Sequence, residues 1–423
     1  MSPRQPPRPI AMVVHAYYEE DQRVRRQAES LIAAGRPVDV FALRREGTPR
    51  EDELNGVRIV RLNVERHQGA GIGTYLREYL AFFASSAWAL ARAHRHRRYA
   101  LVQVHSLPDF LVFGALPLRL AGVPVVLDLH EAMPEFFRAR FPRATNRLTD
   151  RLLGLQERLS IAAADRVFSV NRTRHDRLVS LGVPVGKLRV VENGPPLGRF
   201  DVAAHPERPF MADGTLRLAY AGAVTPLYEL ELVLDAIARL CVARPALPVA
   251  LDIYGRGDME AALREQATAL GIEDRVAFHG RVPLDDVAGR LATHDIALSP
   301  LRRTPFSEMS LSTKVFEGSI MRKPVVTART TTALRYFDEA SLPYYRPGDL
   351  EDFVRVLLGV VDDADGRWRQ VARARERSLE LSWDREAVRY VAFLEELAID
   401  GLSSSRPVAG PEPALDRGAG EGS

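Results

Sequence analysis

Within SLSTKVFEGSIMRKPVV, residues 310–326, a lysine and a glutamate stand three apart, Lys314 and Glu317, in a short helical pattern between two apolar runs. Residues at that spacing are neighbours on one helix face. The first turn carries Ser310, Ser312 and Thr313; backbone N–H groups at a helix start are free and give it a partial positive charge. Lys314 adds a full cation where the helix itself disfavours one, and a bound diphosphate would compensate it. Ionised Glu317 is acceptor-only and can take two hydroxyl donors at once, which matches the vicinal diol of a ribose. Read without function, the two are an exposed ion pair contributing about 0.2–0.5 kcal/mol.

Other candidates also follow apolar runs. LDIYGRGD, residues 251–258, carries Gly255, Arg256 and Gly257 where backbone N–H groups can approach a phosphate. A plain strand-to-helix turn explains it as well, because the third glycine and the ribose acid of a dinucleotide fingerprint are missing. VVLDLHEAMPEFF, residues 125–137, puts His130 and Glu131 past another run. A histidine there can donate to a sugar hydroxyl or to developing charge, and a satisfied structural histidine carries equal weight. His105 and Asp109 in VHSLPD, and His15 in VVHAYYEED, occupy equivalent ends and are expected to meet in one cleft. HRHRR at 94–98 lacks a neighbouring acid or cysteine and reads as a basic helix end, and Asp363-Ala364-Asp365 lies in a polar turn, so no metal site is read.

These residues need elements to hold them. Short β-like runs alternate with helical patterns along the chain: IAMVVHA, a helix from about Arg23 to Ala34, VDVFAL, VRIVRL, an amphipathic stretch Thr74 to Arg98, ALVQVH, a helix over Leu111 to Ala121, and VPVVLDLH. Helical residues 147–163, RVFSV and LRVVENG complete a first half. The alternation predicts βα units on a parallel sheet. It restarts at LRLAYAG and runs through VALDIYG, VAFHG, DIALSP and PVVTA. The expected organisation is an α/β chain of two doubly wound, Rossmann-like domains facing a cleft: 1–194, a Pro/Gly-rich linker 195–213, and 214–380. A final helix, 381–402 with Ser382 as N-cap, follows, and 403–423 is expected to be a disordered tail.

Composition narrows the classes. At 423 residues, two domains are expected. The single Cys241 excludes a disulfide framework and fits a reducing cytoplasm. The longest apolar stretch, from Phe110, is interrupted by Pro117, Arg119 and Pro124 and is too broken to span a membrane. Net charge is +3, yet residues 1–200 hold 31 Lys+Arg against 20 Asp+Glu. A basic first half points to an anionic partner, such as the inner face of a membrane or a phosphorylated acceptor, and equally to a solvated arginine-rich surface, since 55 of the 58 basic residues are Arg. No nucleic-acid partner is expected.

In this order and spacing, EEDQRVRRQAESLIAAG, VHSLPD, GVPVVLDLHE, ADRVFSVNRTRHDRL, KLRVVENGPPLGRF, LRLAYAGAVTPLYELELVLDA, LDIYGRGDMEAAL and KVFEGSIMRKPVV resemble the GT-B glycosyltransferases of family 4, from about Ile10 to Ile399. The resemblance implies transfer of a sugar with retention of anomeric configuration, from a UDP- or GDP-sugar to a glycan, lipid-linked or small-molecule acceptor, with no metal and no cofactor. It implies that 1–194 is the acceptor side and 214–380 the donor side, that the final helix crosses back to the first domain, that Glu317 grips the donor ribose, Lys314 lies near the diphosphate, His130 lies beside the transferred sugar, and the loop of Gly222 and Thr225 approaches the phosphates. The chain departs from the family in three places. The first glutamate of the Glu-x7-Glu signature falls at Met309, one position from Glu308. The usual Arg and Lys of the glycine loop are Ala223 and Tyr228. Arg302, Arg303 or Lys314 are expected to replace those charges. A non-catalytic partner of another transferase and a sugar-nucleotide epimerase are the alternatives.

Overall fold

The computed structural model describes residues 7–65, 72–206 and 208–400; the expected tail at 403–423 lies outside them. The apolar runs form strands β1 (Ile10–Val13), β2 (Val38–Leu43), β3 (Glu51–Leu54), β4 (Val57–Leu62), β5 (Leu101–His105), β6 (Val125–Leu129), β7 (Arg166–Ser169) and β8 (Leu188–Val190). They join in the order β3-β4-β2-β1-β5-β6-β7-β8. All pair in parallel except β3 with β4. Strands β1, β2, β5 and β6 are buried along their whole length, which is why they read as unbroken apolar runs rather than alternating ones.

The second sheet comprises β9 (Leu216–Ala221), β10 (Val249–Tyr254), β11 (Val276–Gly280), β12 (Ile296–Ser299), β13 (Val325–Ala328) and β14 (Tyr344–Tyr345), in the order β11-β10-β9-β12-β13-β14. Strand order reverses at β1/β5 in one sheet and at β9/β12 in the other. Ligand crevices in open parallel sheets open at the carboxyl ends beside such reversals, and here the two crevices face each other.

Three local readings differ from the sequence expectation. Strand β3 was not anticipated, because its polar residues lie on an edge; the turn Asn55-Gly56, with φ of 52° and 79°, is the two-residue hairpin that folds it onto β4. The helix expected over Leu111 to Ala121 is split into a 3-10 segment, Asp109–Ala115, and a short α-helix, Leu116–Leu120. The Ser382 hydroxyl donates back to the Leu379 carbonyl at 2.8 Å.

Two chain crossings join the domains side by side. A Cβ on Gly194 would lie 1.7 Å from the Leu381 carbonyl oxygen, so the first crossing can touch the second only through a glycine. The Trp383 N–H donates to the Pro195 carbonyl at 3.1 Å, and the Leu197 N–H to Asp384 at 2.7 Å. Beyond them the helix Trp383–Asp400 lays Trp383, Tyr390, Leu394 and Leu397 into the first domain's core, against Ile10, Met12 and Phe168.

Candidate functional site

Between the domains lies a cleft of about 1190 Å³. Its second-domain wall includes the helix Thr313–Ile320, seated closely on the sheet because Gly318 has no Cβ to meet Val325 and Ala297. Ser310, Ser312, Thr313, Lys314 and Glu317 all line the cleft. Lys314 runs across the loop after β9: a Cβ on Gly222 would come within 2.3 Å of its Cε and 2.6 Å of its Nζ. The ammonium sits 4.0 Å from the centre of the Tyr228 ring and 5.2 Å from that of Tyr220. Half-buried Glu317 has its carboxyl pushed up by burial, with Lys314, a hydrogen bond involving Thr313 and the charge of Arg199 pulling the other way.

The other donor-side expectations need correction. Gly255 and Arg256 do not line the cleft. A Cβ on Gly255 would stand 1.7 Å from the Gly222 carbonyl oxygen and one on Gly257 1.9 Å from that of Val224, so these glycines let the β10 turn support the Gly222 loop from behind. The Val224 N–H donates to the Arg256 carbonyl at 3.0 Å, and Thr225 accepts from the Tyr228 N–H at 3.1 Å, so these backbone groups shape the loop. Arg302 is held by Glu231 and by the Pro226 carbonyl, and Arg303 by Glu308 at 2.8 Å; neither reaches the cleft. The cleft arginine nearest in effect to Glu317 is instead Arg199, from the linker, whose Nε lies 3.2 Å from Asp285. Glu308 is turned away to the helix start at Thr331, accepting from its N–H and hydroxyl at 2.7 Å.

On the opposite wall, His130 is nearly fully buried at the end of β6 with its N–H bonded to Ser106 Oγ at 2.9 Å. Its Nε2 is 3.2 Å from Asp128 Oδ2, the same oxygen that lies 3.3 Å from His105 Nδ1 and accepts from Gln27 at 2.9 Å and Gln103 at 3.1 Å. Tyr390, from the C-terminal helix, donates to Gln103 at 2.7 Å and braces the network. Burial raises the Asp128 carboxyl, but the two histidines outweigh it and hold it well below the usual range. Burial keeps His130 below its ordinary value despite Asp128. A neutral His130 whose Nε2–H faces Asp128 presents Nδ1 as an acceptor. His105, Asp128 and His130 are also close enough to serve as metal ligands. Their candidate ligand atoms are already within hydrogen-bond distance of one another, and the shared oxygen takes two amide donors that an ion would have to displace, so hydrogen bonding accounts for the cluster.

Glu131 lines the cleft but is clamped by Arg174 at 2.6 Å. The same guanidinium reaches Ser310 Oγ at 3.2 Å and the carbonyls of Met309 and His130, tying the two walls together. His15 is on the cleft wall beside Glu78 at 3.0 Å, edge-on to Tyr79 and Phe82. His105 is fully buried and acts only behind His130. Asp109 is the clearest correction. The 3-10 turn rotates it into the interior, where neither carboxylate oxygen has a hydrogen-bond partner among the described residues; burial, then Glu157, pushes its carboxyl to about 8.

Sequence reasoning did not single out Asp128, Arg174, Arg199 or Gln27. Asp128 was the most accessible of these, since residues two apart on a strand share a face and it stands two before His130. The others converge from separate elements and carry no local pattern.

Two facing Rossmann-like domains with an interdomain cleft and a crossing C-terminal helix define the GT-B architecture. Sucrose-phosphate synthase from Thermosynechococcus elongatus superposes with a TM-score of 0.75 at 17% identity, covering 92% of this chain and 99% of that one. Anabaena HepE in complex with UDP-glucose gives 0.67 at 14% identity, covering 92% and 99%. Residues 21–194 match the family described as "Glycosyl transferase 4-like domain", and 215–363 match "Glycosyl transferases group 1". The D-inositol 3-phosphate glycosyltransferase of Geodermatophilus obscurus is 27% identical, over 91% of this chain and 86% of that one. The 2-deoxystreptamine N-acetyl-D-glucosaminyltransferase of Streptomyces fradiae is 25% identical over 70% of each. The chain belongs to the nucleotide-sugar glycosyltransferases of the GT-B class, of family 4 type. Among the described residues no helix is long and apolar enough to cross a membrane.

Proposed function

We propose that this chain transfers its sugar with retention and without a metal ion, from a UDP- or GDP-sugar to a hydroxyl acceptor, acting from the cytoplasm. The observation that carries the reading is Lys314 lying across Gly222 with Glu317 one turn deeper, a cation and a diol acceptor on one wall. In this reading the donor ribose hydroxyls donate to Glu317 and the diphosphate sits between Lys314 and the N–H groups of the Thr313 helix start, which stabilise the departing charge. Of the carboxylates considered for attack, Glu131 is held by Arg174, Glu308 faces Thr331 and Asp109 is buried away. We therefore favour departure and attack on the same face. The bond from the anomeric carbon to the diphosphate oxygen breaks as the acceptor oxygen bonds to that carbon, and the acceptor proton passes to the diphosphate. His130, fixed by Asp128, accepts a hydroxyl of the transferred sugar.

Calorimetric titration of UDP, GDP and ADP in the presence of a chelator tests this. One nucleotide should bind selectively, and Glu317→Ala should weaken it by at least about tenfold, since hydrogen bonds to a charged group contribute about 1.5–3 kcal/mol each. Absence of binding by all three would overturn the donor site. Tight binding with no transfer to any acceptor would favour a non-catalytic partner, the reading that Ala223 and Tyr228 keep open.

A further inference from the structure

The helix Arg147–Ala163 starts firmly: Asn146 accepts from the Leu148 and Thr149 N–H groups at 2.9 and 3.0 Å in a reciprocal capping box. Its inner face buries Glu157, Ser160, Ile161 and Ala163. Its outer face carries Leu148, Leu152, Leu155 and Leu159, 65%, 55%, 53% and 51% exposed. Their spacing of four, three and four makes one continuous stripe. Across the cleft mouth, the helix Ile72–Arg97 exposes Leu76 and Leu80 to a similar degree, and Leu76 and Leu152 both line the cleft rim. A continuous stripe of leucines standing in water, with two more across the cleft mouth, is costly without a partner and marks an interaction surface.

Charge decides what that partner is. Arg140, Arg143, Arg147, Arg151 and Arg158 are exposed along or beside the stripe. The helix's own acids are engaged, Asp150 with Arg138 at 2.9 Å and Glu157 with Arg177 at 2.8 Å. Two-fold pairing of the stripe with a second copy would set arginine rows alongside each other, while Asp150, Glu157 and, on the second helix, Glu78 already have partners of their own. A surface both apolar and anionic satisfies leucines and arginines together.

We propose that this leucine–arginine face docks on an anionic lipid surface and so presents the cleft mouth, with Tyr75, Tyr79 and His15 inside it, to an acceptor held in the bilayer. The docking stands on the exposed face alone; the acceptor's location rests on the glycosyl-transfer reading. Co-sedimentation of the full chain with vesicles tests it, phosphatidylglycerol mixed into phosphatidylcholine against phosphatidylcholine alone, with UDP titrated on the same samples. Binding should need the anionic lipid and weaken with salt. The double variants Leu155→Ser/Leu159→Ser and Arg147→Glu/Arg151→Glu should each lower vesicle affinity at least about tenfold, at about fivefold for each favourable arginine. UDP affinity should not change in either. Vesicle binding without UDP binding would leave the docking standing and remove the donor site. Equal binding to neutral vesicles, native affinity in both variants, or a native dimer dissociated by the leucine variant would overturn the proposal.

Discussion

Tyr228 stands where the family resemblance implies a lysine, yet its ring lies 4.0 Å from the Lys314 ammonium. A cation over an aromatic face gains about 0.5–2 kcal/mol, so Tyr228 keeps Lys314 over the Gly222 loop rather than contributing a charge itself. Tyr228→Phe should preserve UDP affinity, and Tyr228→Leu should lower it about three- to tenfold while leaving uridine affinity nearly unchanged, because only the phosphates meet the lysine. Parallel titrations of UDP and uridine check this, and equal losses for both would mean that Tyr228 merely shapes the pocket. Asp109 yields a stability prediction. Its carboxyl is raised from 3.8 to about 8 in the fold, so the folded state holds a proton that the unfolded chain has released. Stability is therefore lost as pH rises from about 4 through about 8. In thermal melts across that window, Asp109→Asn should be increasingly more stable than the native chain as pH rises. A gap independent of pH would show that the aspartate is not protonated in the fold.

At the scale of elements, Gly194 is a tight constraint on the crossings, since any side chain there meets the Leu381 carbonyl. Gly194→Ala should cost about 2–4 kcal/mol, because the obstacle is backbone and the second crossing must move away. Urea unfolding measures it, and a loss below about 0.5 kcal/mol, the range of ordinary surface changes, would mean that the crossings separate freely. Most of this architecture was legible in the sequence. Buried parallel strands are long apolar runs, helix 147–163 was read with the boundaries it has, and Lys314 and Glu317 were visible because three residues of spacing is itself a geometric statement. Edge strand β3 escaped because EDEL is polar; the Asn55-Gly56 turn was its only sign. Asp109 was misplaced because a position after a strand says nothing about which way a 3-10 turn rotates its first residue. Arg174 and Arg199 were missed because what they touch lies 136 residues away at Ser310, or on another element altogether.

Across the whole molecule, the cleft exceeds the roughly 300–1,000 Å³ of a single small-ligand site, leaving room for donor and acceptor together. The chain crossings also reach into it. Arg26, from the helix after β1, holds the Gly194 carbonyl and Asn193 and stacks 4.5 Å from Trp383, so both crossings are gripped at one point. A few residues further, Arg199 lines the donor wall and its charge bears on Glu317. A donor with its diphosphate at Lys314 and the Thr313 helix start, if it also met Arg199 across the cleft, would pull on the linker as well as on the second domain, giving the ligand a different affinity for open and closed arrangements, the condition for a ligand-driven change. Closure would exclude the water that otherwise hydrolyses the donor. Small-angle scattering should show the native chain contracting on addition of UDP. Arg199→Ala should still bind UDP, about three- to thirtyfold more weakly for one lost charged contact, but contract less at saturation. Equal contraction in both would remove Arg199 from the coupling, and no contraction in the native chain would show that the domains already hold the arrangement in which they work.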